Sequence, residues 1–394
     1  MKALGNAGFV VACLVLGNAS LHAQAAPHVT IAAGNALPIS RPDETVSVSW
    51  TELVRRLPAL TPTKVRVVDA ERREIPSQVV DDDGDGSPDA LIFQGAFAPK
   101  ERRHFDIEAA APSLSYEPHV AIRHDAPRDD IAWESDRVAF RIYGEGLKKT
   151  PQAMSSSGID VWNKKTRALI VDKWYAKDAT ASYHVDTGEG ADFYDVGETL
   201  GNGGTAAWAK DTIWRADNFK AWRIIANGPI RAIVELRYDP WNVDGHPVAE
   251  VKRIAIDAGS NLYKATSIFS TPKGGEIPYV IGTVKRPGMT GTFSRNNAWA
   301  WLTGWGPVVA KTGGHGEMGT AVVLANSSVV EWKEQFGHYF ALTHATSGKP
   351  VVHYIGAGWT DSGDFPTPQS WWRYLEEMAR RIDAPIDVTF DAAR

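Results

Sequence analysis

The chain is poor in cysteine: its only one is Cys13. Disulfide staples and a cysteine nucleophile are therefore excluded for everything downstream of that residue. There is no HExxH zinc signature, no GxSxG elbow and no phosphate loop ending in Lys-Ser/Thr. No apolar run approaches the roughly 20 residues of a spanning helix. Charge of one sign is also missing. With 42 Lys and Arg against 47 Asp and Glu, the net charge is −5, which argues against nucleic acid or an anionic membrane as partner.

What is present begins with the first 25 residues. Lys2 supplies a basic start, Ala7 to Leu16 forms a short apolar core, and Ala23-Gln24-Ala25 is a small-x-small cleavage site. This is the layout of a secretory signal. The expectation is a protein delivered to the periplasm or outside the cell, cut after about Ala25, with no transmembrane segment left. Cys13 leaves with the signal, so the core alone must hold the fold.

The remainder is rich in alternating segments, and the expected class is mostly all-β. Thr45 to Trp50, Lys64 to Val68, Leu91 to Phe93 and His104 to Ala109 read as strands of a small N-terminal sandwich over residues 26–110. Residues 111–130 mix Ala, Pro, Asp and His without periodicity and read as a linker. Residues 131–394 read as a large antiparallel sandwich carrying the active-site cleft. Ala221 to Trp241 is its clearest hairpin: Ile230, Ala232, Val234, Leu236 and Tyr238 point one way, Arg231, Ile233, Glu235 and Arg237 the other. One helix is expected near the C-terminus. Thr367 caps it, Pro368 opens it, and Trp371, Leu375, Met378 and Ile382 form one stripe.

Three features invite chemistry. The first is DDDGDGSPDALIF from Asp81 to Phe93, where Asp81, Asp83, Asp85 and Asp89 offer hard oxygens around a Gly turn. That suits a structural Ca²⁺; Ile92 stands where an EF-hand needs Glu, so this is no EF-hand, and a plain acidic turn is the bland alternative. The second is the polar, glycine-punctuated stretch Lys173 to Trp208, with Lys173, Trp174, His184, Asp192, Tyr194 and Asn202. A loop this long and polar suggests function over mere connection, and its Gly201-Asn202-Gly203-Gly204 run reads as a turn letting backbone approach a ligand. The third gathers Arg215, the Gly337-His338-Tyr339 strand start and Trp359 in GAGWTDSGD. The 15 tryptophans make stacking on sugar rings a natural expectation.

VDDDGDGSPDALIF, YDVGETLGNGG, ANGPIRAIVEL and GHYFAL…GAGW together resemble an uncharacterised-domain family of exported bacterial proteins found in polysaccharide-utilisation loci for uronate-rich polymers. The resemblance spans nearly the whole mature chain. It implies a supersandwich like that of galactose mutarotases and some polysaccharide lyases. It also implies dehydratase or lyase activity on uronate oligosaccharides, as in the ulvan-processing branch, with no cofactor for catalysis.

β-Elimination removes the proton α to a uronate carboxylate and expels a group from C4. A cation must neutralise the carboxylate, a base must take the proton, and an acid must protonate the leaving oxygen. Among the residue types present, Arg215 supported by Lys173 suits the carboxylate. His184 or His338 suits the base, and Tyr194 or Tyr339 the acid. Trp174 and Trp359 suit stacking, with Asp192 and Asn202 binding substrate. A hydrolase or epimerase on the same sugars, and a non-catalytic carbohydrate-binding sandwich, are the alternatives.

Overall fold

The computed structural model describes residues 26–151, 153–308 and 313–391; the segment read as an export signal lies outside them. Every strand pair in its sheets is antiparallel, and a C-terminal helix packs on the largest sheet.

The small sandwich forms where the alternation placed it. In the strand Arg41–Ser49, Val46 and Val48 turn inward. They meet Ile31, Phe93, Phe105 and Ile107 between a three-stranded and a five-stranded sheet. Two of its parts differ from the sequence reading. Trp50 opens helix α1 (Trp50–Arg56) instead of ending a strand. The Ser49 hydroxyl accepts from Glu52 N, while Glu52 and the Arg55/Arg56 pair suit the two ends of the helix dipole. The second difference is the edge strand Asp387–Phe390, which pairs with His28–Gly34. The end of the chain thus belongs to the first sandwich, not to the large one.

The stretch 111–130, read as a linker, carries the strand Val120–Asp125, hydrogen-bonded along its length to Asp130–Ser135. The Asn227 side chain secures it by accepting from Ile122 N at 2.6 Å and donating to Ile122 O at 3.1 Å.

The large region stacks an eight-stranded sheet on two five-stranded ones. One continuous core runs between them, from Trp133 and Phe140 through Val234 and Ile254 to Tyr279 and Ile355. The predicted hairpin sends Ala232, Val234, Leu236 and Tyr238 into this core. The smaller sheet built on Asp130–Ser135, Ala139–Tyr143 and Asp160–Lys164 is buried on both faces. Its far side is covered by helix α2 (Val171–Lys177), which the periodicity did not reveal. Glu134 explains α2: its carboxylate accepts from Ile170 N and Val171 N at 2.8–2.9 Å, and Lys164 neutralises it at 2.8 Å.

Helix α3 (Pro368–Asp383) has the expected Thr367 cap, closed by Ser370 into a reciprocal box. It buries Trp371, Leu375 and Ala379 against Trp301, Trp305 and Val323 of the eight-stranded sheet. Gly319 and Gly358 make room for it, since a Cβ at either would meet the Trp371 ring at 2.5–2.8 Å. No helix among the described residues is long and apolar enough to cross a membrane.

Candidate functional site

The polar stretch becomes a site through Gly190 to Tyr194. Gly190–Ala191 adds to the edge of Asp160–Lys164, with Gly190 at φ +101° because the Asn163 carbonyl would lie 2.0 Å from any Cβ. The next three side chains then part company. Asp192 enters the smaller sheet, Phe193 packs against His315 and Trp359, and Tyr194 reaches Thr283 of the neighbouring sheet.

Asp192 joins a buried ionic group. Arg141 Nη2 lies 2.9 Å from Asp192 Oδ2 and 2.5 Å from Asp160 Oδ2, while Tyr143 donates to Asp160 and Arg141 Nη1 donates to Tyr183. Burial, then the Asp160 charge, pushes Asp192 well above the usual carboxylate range, against the pull of Arg141. His184 sits on the rim. Its Nδ1 is 2.9 Å from the Asp192 carbonyl and 3.5 Å from the Asp192 carboxylate, and its ring packs on Tyr183. A carbonyl can only accept, so Nδ1 carries a proton.

A second group surrounds His315. Its Nδ1 is 2.8 Å from Asp361 Oδ2 and its Nε2 3.1 Å from Asp186 Oδ2. Lys165 lies 2.6 Å from Asp186 and 5.2 Å over the Trp359 ring. Against partial burial, Lys165 and the Gly188 and Gly190 N–H groups hold Asp186 well below the usual carboxylate range.

A third group is cationic. Arg286 donates to the Tyr194 and Asp195 carbonyls, and its guanidinium lies 5.2 Å over the Tyr194 ring. Burial raises Tyr194 above the ordinary phenol range, with Arg286 pulling the other way, so the hydroxyl keeps its proton. Burial also lowers His338, and the nearby Arg215 and Arg286 charges lower it further. The buried Nη1 of Arg215 has no hydrogen-bond partner.

The structure therefore brings His184, Asp192 and Tyr194 into one segment and sets Arg215 beside His338. The other sequence candidates are placed differently. His338 is held by backbone on both sides, with Nδ1 2.6 Å from Phe336 O and Nε2 accepting from Leu200 N at 3.1 Å. Tyr339 is buried and donates to Met289 O. Lys173 is exposed and paired with Glu189 at 2.6 Å. Trp174 is buried and stacked on Trp162, so it offers no face to a sugar. Trp359 is likewise buried, with Nε1 donating to His315 O. Asn202 is buried, donates to Gly356 O, and leaves its Oδ1 without a partner. Its glycine run serves internal packing: a Cβ on Gly203 would strike Ile355 at 2.4 Å, and one on Gly204 the Leu200 carbonyl at 2.3 Å.

Arg141, Asp160, Lys165, Arg286 and His315 were not foreseen. An Arg in the middle of the apolar strand RVAFRIYG, and a His bracketed by glycines in GGHGE, were the available signals.

The Asp-rich loop is a compact turn. Asp81 accepts from the N–H groups of Gly84, Asp85 and Gly86, and Asp89 from those of Asp82 and Asp83. Carboxylate oxygens of Asp81, Asp83 and Asp89 lie within 4.8 Å of one another. That donor set fits Ca²⁺. Asp85 instead caps Ser87 N at 2.7 Å.

An α-mannosidase from Enterococcus faecalis V583 superposes with a TM-score of 0.51 at 10% identity, over 93% of this chain and 46% of that one. A glycosyl hydrolase family 38 protein from the same species gives a TM-score of 0.52 at 9% identity, over 93% and 48%. The chain spans less than half of these structures, and the likeness is one of fold. In sequence, the uncharacterized protein P7 of Formosa agariphila is 30% identical over 392 residues, covering 93% of this chain and 94% of that protein. The profile of a domain of unknown function, DUF4861, matches residues 34–388, and the chain belongs to that family.

Proposed function

We propose that the protein is a carbohydrate-processing enzyme that performs β-elimination on uronate-containing oligosaccharides, as a lyase or dehydratase acting after export. The observation that carries this reading is His184. Its Nδ1 is fixed by the Asp192 carbonyl, and Arg141 holds the Asp192 carboxylate in turn, which orients the imidazole at the rim of a buried ionic group. An imidazole aligned by a third residue is the arrangement a general base requires.

His184 takes the proton from C5 of the uronate. The C5–H electrons form the C4–C5 double bond as the C4–O bond breaks. The leaving oxygen takes its proton from Tyr194, which burial keeps protonated, and departs as water or as a sugar hydroxyl. Arg215 receives the uronate carboxylate, and Arg286 adds positive charge to the same region. Both ring nitrogens of His338 already serve the backbone, which favours His184 as the base. Asp160 and Asp192 both answer to Arg141, and Asp186 to Lys165. Calcium held by Asp81, Asp83 and Asp89 would brace the loop and take no part in the chemistry.

The test is ultraviolet absorbance while the protein incubates with pectic, glucuronan and ulvan oligosaccharides. A rise reports the conjugated double bond, and product mass separates loss of water from chain cleavage. Substituting His184→Gln should cut that rate by about 10²- to 10⁴-fold. Turnover with products that lack the double bond would overturn the reading in favour of hydrolysis.

A further inference from the structure

The outer face of the eight-stranded sheet, remote in chemistry from the site above, carries a row of charge. Arg223, Glu235, Arg253 and Thr266 are direct cross-strand neighbours on four successive strands. Arg237 is two residues beyond Glu235 on the same face. The single Glu235 carboxylate serves three guanidiniums: Arg237 at 2.8 Å, Arg253 at 3.1 Å and Arg223 at 3.8 Å. Two positive charges are left over. The Arg253 Nε is buried without a partner, while the Arg223 and Arg237 side chains are 52% and 62% exposed.

Two hollows adjoin this row. One, of about 460 Å³, is lined by Gly84, Arg223, Glu235 and Arg237. The other, of about 410 Å³, lies between the small sandwich and the sheet; Arg253 and Lys264 line it beside Arg231 and Arg381, whose charges are met by Asp82, Asp257 and Glu44, with Asp43 at its edge. Each has the volume of a small-ligand site, and junctions between domains are a common place for one. The Arg253–Glu235 contact joins them.

We propose that this face is a second saccharide site, taking the acidic groups of a uronate oligosaccharide on Arg223 and Arg237 and running the chain past Arg253 toward Lys264. Guanidinium pairs suit carboxylates because their parallel N–H groups match the two oxygens. A site separate from the chemistry would keep a long substrate attached between turnovers and raise its effective concentration. The choice of uronate as ligand rests on the elimination reading; the groove itself requires only that binding depend on the ligand's negative charge.

The experiment is titration calorimetry of the full protein carrying His184→Ala, with galacturonate and glucuronate tetramers and a neutral glucose tetramer as control. Two binding events are expected with at least one uronate tetramer. Arg223→Ala/Arg237→Ala should weaken one of them about tenfold or more, with turnover of short substrates unchanged in the parent background. Lys264→Gln should weaken the same event in a protein with an unchanged melting temperature. A single event or none with both uronates, equal binding of the neutral tetramer, or indifference to both variants would overturn the proposal. Failure of the elimination reading shows separately, as absence of the double bond in the wild type.

Discussion

The strands Trp299–Pro307 and Glu317–Ala325 share one sheet with Arg231–Val243 and His246–Asp257. The outer faces of the two halves are nevertheless opposite in kind. The first pair presents Trp301, Trp305, Ala321 and Val323 to α3. The second presents Glu235, Arg237 and Arg253 to hollows open to solvent. Three indole N–H groups of the covered half are paired: Trp371 Nε1 donates to Thr303, Trp301 to Glu376 and Trp305 to Glu317, all at 2.9–3.0 Å. Alternation makes two faces on any strand, and the cover it receives decides whether the outer one is apolar or ionic.

The largest test of this contrast is Trp371→Ala. It leaves a cavity between α3 and Gly319/Gly358 and should cost about 3–5 kcal/mol, read as a drop in denaturant midpoint at constant slope. A loss below about 1 kcal/mol would mean that α3 is dispensable cover.

The charged half should respond less, and to pH. Glu235→Gln removes the one carboxylate among three guanidiniums and should cost about 1–3 kcal/mol near neutral pH. Against the effect of burial, Arg237 and Arg253 hold Glu235 below its ordinary value of 4.5. Its stabilisation is therefore complete above 4.5 and is lost as pH falls through the lower folded-state value. Wild type should converge with Glu235→Gln on acidification, whereas the gap to Trp371→Ala should persist. Parallel pH curves for wild type and Glu235→Gln would break the ionic account.

The smallest effect belongs to Arg237→Ala. Its side chain is more than half exposed, so melting should shift by no more than about 0.5 kcal/mol equivalent. Calcium gives a further, separate contrast. If Asp81, Asp83 and Asp89 bind it, the melting temperature should rise with added Ca²⁺ by mass action, and Asp81→Asn should abolish the rise.

Helix α3 was legible because its signals are local: a Thr-Pro start and an apolar stripe over 16 residues. Helices α1 and α2, seven residues each, lack a length of pattern that could announce them. α2 depends on Glu134, supplied by a strand 36 residues earlier. The linker reading failed for a similar reason: Val120–Asp125 is a strand because Asp130–Ser135 and Asn227 satisfy its backbone.

In the candidate site, His184, Asp192 and Tyr194 stood out as polar residues in one loop. Arg141, which makes Asp192 tolerable in the interior, read as part of a core strand. Trp174 and Trp359 are of a residue type that either stacks on sugars or fills cores, and composition cannot tell the two apart.

Local pattern was enough for the all-β class, the inward and outward faces of the 221–241 hairpin, the α3 cap and the acidic turn. Each depends on residues within a few positions of one another. Only the tertiary structure decided that Asp387–Phe390 closes the first sandwich, that His338 is held by Phe336 and Leu200, and that Arg141 gathers Asp160 and Asp192. Those outcomes rest on pairings between distant segments, whose charges and hydrogen bonds acquire their energies only once the sheets exclude water around them.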